Sequence, residues 1–198
     1  MPNDMLRFSG HQSFALRHTW LTKGVTACAD DPAVFSAPDA LVRLGVGKNM
    51  VEAIKYWCLA TRVIEPSVSR RTCYEPTDLG RLLFVGEDAW DPYLEDQGSL
   101  WLLHWLMATN QTMASTAWYA FNHWLGLEFT RVGLENALST LAKQKGTRVA
   151  PNSISRDVAV FIRTYSGASG ERGESPEDRV DSPLAELRLV HHDAEPDA

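Results

Sequence analysis

Two short stretches of the chain carry residue types that could act on a phosphodiester. Gly10-His11-Gln12-Ser13-Phe14, followed by Arg17 and His18, gathers imidazoles, an amide and a guanidinium. Such a group could hold a phosphate and shuttle a proton. Asp91-Pro92-Tyr93-Leu94-Glu95-Asp96 places three carboxylates within six residues, a donor set that could hold Mg²⁺ or another divalent metal. Strand cleavage needs either metal-binding carboxylates or a nucleophile and base poised at the phosphate, so His11, Asp91 and Glu95 are the candidate catalytic residues. Plainer roles fit both stretches: a polar loop capping a helix, and a solvated helix start matched to its dipole. The chain has no HxxEH, GxSxG, Walker A or GxGxxG motif in a suitable context. Catalysis is therefore not demonstrated by these residues alone.

A second set of residues has the spacing of a nucleic-acid surface. Lys48, Lys55 and Arg62 recur every seven residues, which on a helix is two turns and places them on one stripe. Val51, Ile54, Trp57, Cys58 and Leu59 supply the opposite, apolar side. Asn49, near the helix start, could bind a phosphate or read an adenine edge. Arg70 and Arg71 follow at the tip of a polar turn suited to a neighbouring backbone or minor groove. Farther on, Arg156 and Arg163 repeat the seven-residue spacing beside an apolar side made of Ile154, Val158, Phe161 and Tyr165. Asn152 and Ser153 could cap that helix or bind phosphate at its start. A solvated amphipathic helix with an idle basic face is the alternative at each place.

These side chains need elements to hold them. The chain reads as mainly helical, since alternating Val/Ile/Thr runs are scarce. Residues 12–29 predict a first helix, and 36–44 a short second one, with Ser36 as cap and Pro38 in the first turn. Gly45-Val46-Gly47 supplies a turn, and a third helix is expected from Lys48 to Val63, ahead of Pro66. Residues 67–76 suggest a β-wing, and 77–84 a closing helix. This is the winged helix-turn-helix order, and it assigns residues 1–86 to a DNA-binding module. Residues 87–130 form an aromatic helical connector, broken near 109–112, whose Trp and Tyr side chains are expected in the core, with His104 among them. Residues 131–166 read as a second helix-turn-helix-like module, stopped midway at Gly146. Residues 167–198 read as an acidic, largely flexible tail in which 183–189 could dock as a short helix.

Charge supports this division. The formal net charge is −6 over 198 residues, yet the tail alone accounts for it, with nine acids against three arginines. Residues 43–71 and 131–166 each hold six basic side chains and two acids, whereas 82–130 holds six acids and no Lys or Arg. A nucleic-acid partner survives the net charge. The three cysteines, Cys28, Cys58 and Cys73, lack metal-ligand spacing and read as buried thiols. No apolar run reaches the roughly 18–20 residues of a membrane span, and the first residues do not resemble a signal peptide. A cytoplasmic protein is expected.

Several blocks resemble the SspB family, long catalogued as a domain of unknown function. They are Phe8–Phe14, Arg43–Met50, Trp90–Asp96, Leu100–Trp105, Ser155–Val158 and Phe161–Tyr165, within a resemblance spanning roughly residues 6–190. It implies a DNA-nicking role in bacterial phosphorothioation and phage defence: a strand is opened so that sulfur can replace a non-bridging phosphate oxygen. It also implies double-stranded DNA and other Ssp proteins as partners, among them a cysteine desulfurase, an ATPase and a sulfur-transfer enzyme. A non-catalytic DNA-binding adaptor or regulator is the alternative, and a protein-interaction scaffold the third. A homodimer would be normal for helix-turn-helix proteins.

Overall fold

Apolar residues at helical spacing build the N-terminal half. Trp20, Leu21, Gly24, Val25 and Cys28 form the buried side of α1 (His18–Asp30), which packs on α3 (Lys48–Ala60) through Ala53, Ile54, Trp57 and Cys58. Gly24 is the close approach, because a Cβ there would lie 2.5 Å from Cys58 Sγ. The computed structural model describes residues 5–68, 70, 72–167 and 182–191.

The first helix starts later than the periodicity predicts. Residues 9–13 form a turn in which Ser9, Gln12 and Ser13 take positive φ, so Gln12 is outside α1. Between α1 and α3 come a 3₁₀ turn (Val34–Ser36) and α2 (Ala40–Leu44). Asp39, not Ser36, precedes α2. Gly45, at φ 64°, then closes α2 in the left-handed region that glycine occupies without strain.

Helix α3 ends at Ala60, three residues before the expected Val63, and Arg62 turns the chain at φ 55°. The wing is a two-stranded antiparallel sheet of β1 (Ile64–Pro66) and β2 (Tyr74–Pro76), with Ile64 opposite Pro76 and Pro66 opposite Tyr74. Thr77 then caps α4 (Asp78–Phe84) by accepting from Gly80 N–H.

Asp96 caps α5 (Gln97–Ala108), which packs on α6 (Ser115–Asn122). This is the expected helical pair, but its aromatics do not all enter the core. Trp90, Tyr93, Trp101 and Trp105 are exposed, whereas Tyr119, Phe121 and Trp124 pack partly buried against it. The expectation of a wholly buried aromatic middle is corrected accordingly. Asn110, between the two helices, is buried: its Nδ2 donates to Ala60 O at 3.0 Å and its Oδ1 accepts from Met113 N–H.

Helices α7 (Arg131–Gln144) and α8 (Pro151–Ser166) pack together, separated by Gly146 at φ 66°. The α8 cap position is Ala150, so Asn152 and Ser153 lie inside the helix and Ser153 is not its cap. A final 3₁₀ turn (Pro183–Leu187) docks against α5 and α8, burying Leu184 and Leu187. The rest of the expected tail, 168–181 and 192–198, lies outside the described residues. Most of the buried apolar side chains form one continuous cluster from Leu16 to Leu187. The three cysteines are buried and free, and burial pushes the Cys28 thiol up to about 12.

Candidate nucleic-acid interface

The N-terminal turn is held from behind by α8. Asp157 is buried on α8, and its Oδ1 accepts from Ser9 N–H at 2.8 Å and lies 2.7 Å from His11 Nε2. Its Oδ2 accepts from the Thr116 hydroxyl at 2.5 Å. Ser13 N–H donates to His11 Nδ1 at 3.1 Å, which assigns the imidazole proton to Nε2, facing the carboxylate. The ring also stands edge-on to Tyr56 and stacks beside Trp57. His11, Tyr56, Trp57, Thr116 and Asp157 border a cavity of about 20 Å³, room for a single water.

His11 is therefore at the centre of a buried polar knot. It is 2% exposed, and both ring nitrogens are engaged. Neither nitrogen is open to a phosphate in this arrangement. Asp91 is also buried, and its two carboxylate oxygens accept from Glu95 N–H at 2.8 Å and Asp96 N–H at 3.1 Å. Asp96 in turn accepts from Gly98 and Ser99 N–H. Glu95 is exposed. These carboxylates organise the entry to α5 and do not converge on a common point. No group of three or more His, Cys, Asp or Glu side chains poised for a metal occurs among the described residues, so the set expected to hold Mg²⁺ does not fit one as arranged.

The cationic residues are placed unevenly. Lys48 and Asn49 are exposed on the first turn of α3. No side chain caps that helix. Met50 N–H and Val51 N–H donate to Gly47 O, which leaves the first two N–H groups of the helix, at Lys48 and Asn49, to favour an anion. Lys55 is 20% exposed and pairs with Glu52 at 2.6 Å. Arg62 lies past the helix end and donates its Nη2 to Thr109 O at 2.9 Å. The predicted stripe of three is thus one exposed lysine, one paired lysine and one arginine off the helix. Arg43, in the same basic segment, pairs with Asp31 at 2.6 Å, and that hydrogen bond holds the Asp31 carboxyl below its ordinary range.

Arg70 is exposed in the wing, and Arg71 lies outside the described residues. In α8, Arg156 is exposed, while Arg163 donates its Nη2 to Ser13 O at 2.8 Å and so braces the same N-terminal turn. The two do not form an equivalent exposed pair.

Sequence reasoning missed Asp157 and Thr116. The usable signal was a lone carboxylate between Ile154, Val158 and Phe161 on a helix's apolar side, since a buried acid requires donors. Thr116 offered no comparable signal.

Fold and site together define a mainly helical protein that carries a small wing and an exposed, basic helix start at α3 with no side-chain cap. The chain belongs to the family described as a protein of unknown function (DUF4007), whose model matches residues 8–197. Two solved structures are similar to it: the crystal structure of SspB and the magnesium ion-bound crystal structure of SspB. Each is 33% identical and matches over 91% of this chain, with TM-scores of 0.79 and 0.80. The resemblance to SspB carried by the sequence blocks is thereby borne out. The chain spans about half the length of those solved chains, covering 55% and 54% of them. No curated protein matches significantly. No helix among the described residues is long and apolar enough to cross a membrane.

Proposed function

We propose that this protein binds double-stranded DNA as part of a bacterial phosphorothioation system, alongside other Ssp proteins, and takes part in opening a strand for sulfur incorporation and phage defence. The similarity to SspB over 91% of the chain carries the system. The start of α3 carries the DNA-binding part: Lys48 and Asn49 stand exposed at an uncapped helix N-terminus, with the wing and Arg70 following in the chain. Helix-start amides and a lysine together bind phosphate, which supplies salt-dependent affinity irrespective of sequence.

A second reading, a non-catalytic adaptor or regulator that positions the phosphorothioation enzymes, is favoured by a specific observation. His11 and Asp91, two of the three candidate catalytic residues, are already engaged in internal hydrogen bonds. The magnesium-bound relative supports a divalent ion in the nicking reading. Supercoiled plasmid incubated with the chain in Mg²⁺, Mn²⁺ or EDTA separates the two. Metal-dependent open circles that disappear with Lys48→Glu support nicking. Binding without nicking supports the adaptor, and loss of neither function in Lys48→Glu removes α3 from the interface.

A further inference from the structure

Trp101 and Trp105 lie one turn apart on α5 and are 46% and 57% exposed. Gln97 and Gly98 before them and Thr109 after them are exposed as well. Tryptophans are strong contributors when an interface covers them, and neighbouring exposed ones point to a surface in use.

The two ends of this face differ in charge. Glu95 and Asp96, both exposed, stand at the amino end of α5. Residues 82–130 contain no Lys or Arg, but the fold brings one to the other end. Arg62, arriving from the turn after α3, reaches Thr109 O just past the carboxyl end of α5. Along the helix the order is therefore acid, tryptophan, tryptophan, guanidinium. Turned end for end, that strip is complementary to itself.

We propose that this face is a two-fold interface between two copies of this chain, with α5 of each antiparallel to α5 of the other. The acidic end of one copy then meets Arg62 of its mate, and the reverse contact forms at the other end. The tryptophans occupy the middle. Two-fold interfaces require this reciprocity, and antiparallel helices also oppose their macrodipoles. The carboxylates disfavour a nucleic acid on this face. A basic protein segment would suit the acids but would set like charge against Arg62. The assignment does not rest on the DNA-binding reading.

The test is sedimentation equilibrium of the full chain, without DNA and at low salt, over a concentration series. A reversible dimer is expected. Trp105→Ala should weaken it by about tenfold or more, as loss of a central aromatic anchor does. Arg62→Glu and Glu95→Arg should each weaken self-association when alone. Mixing those two variants should restore a heterodimer, because every reversed charge then finds an opposite one. Circular dichroism melting of each variant identifies a folding defect, which the rescue by mixing would not repair. A monomer at every concentration overturns the proposal. So does a dimer that ignores Trp105→Ala and whose charge variants fail to rescue each other.

Discussion

His11 Nε2 lies 2.7 Å from Asp157 Oδ1 although the residues are 146 positions apart. This contact fastens the N-terminal turn to α8. Arg163, six residues farther along α8, reinforces it through Ser13 O. In the turn that the sequence offers as a phosphate clamp, the His11 imidazole thus points inward, while Gln12 and Ser13 stay exposed. Because Asp157 and His11 are buried, the energetics of this knot govern stability before anything else.

Asp157 serves three donors: Ser9 N–H, His11 Nε2 and the Thr116 hydroxyl. Asp157→Ala leaves all three without an acceptor, and breaking a buried, hydrogen-bonded pair from one side costs about 3–5 kcal/mol. Asp157→Asn keeps one acceptor oxygen and the shape, so about 1–2 kcal/mol is expected, toward the lower range for an imperfectly replaced hydrogen bond. Urea unfolding measures both. Equal stabilities for wild type and Asp157→Ala would mean that the knot does not hold the turn.

The same knot shows where sequence reasoning succeeds and where it stops. Helices α3, α7 and α8 and the wing were legible because apolar spacing, Gly45, Gly146 and Pro151 are local signals. The start of α1 was not legible. Gln12 and Ser13 fit a helical pattern, but His11 bonds a partner on α8 and the turn adopts left-handed backbone to reach it. The stripe of Lys48, Lys55 and Arg62 assumed a helix through Val63, and tertiary bonding of Thr77 Oγ1 to Arg62 O and of Arg62 to Thr109 O ended it sooner. Burial of Trp101 and Trp105 depends on what lies opposite α5, which periodicity does not reveal.

A sharper test of packing lies where α4 meets the strand entry. A Cβ at Gly80 would lie 2.0 Å from Val63 O, a backbone atom that cannot rotate away. Gly80→Ala usually favours a helix, yet here overpacking should dominate and destabilise by about 1–3 kcal/mol. Thermal unfolding checks the sign. A stabilised Gly80→Ala would show that α4 and Val63 are less closely apposed.

His104 should make stability depend on pH. Burial lowers its pKa from the ordinary 6.5, and its ring packs among Trp101, Phe121 and Tyr165, with the Tyr165 hydroxyl 3.0 Å from Nδ1. In the folded chain the imidazole stays neutral where the unfolded chain already takes up a proton. Its contribution is complete above pH 6.5 and is lost as the pH falls through 6.5 toward the folded value. His104→Gln removes that titration. Urea midpoints measured on both sides of pH 6.5 should converge in the variant, and an unchanged acid limb would assign the loss to other groups.

Lys48 and Lys55 provide the most direct check of the DNA-binding reading, since they share a helix but not an environment. Lys48 is exposed beside the uncapped start of α3, whereas Lys55 is held at 2.6 Å by Glu52. A lysine contacting phosphate contributes about one unit to the slope of log affinity against log salt. Lys48→Ala should therefore reduce that slope by about one and weaken binding alike on unrelated duplexes. Lys55→Ala should change the slope little, because its charge is already balanced. Fluorescence anisotropy with a labelled duplex over a salt series reads both variants. Equal slopes for wild type and Lys48→Ala would exclude the start of α3 as a phosphate contact, and a larger effect at Lys55 would move the interface toward the middle of the helix.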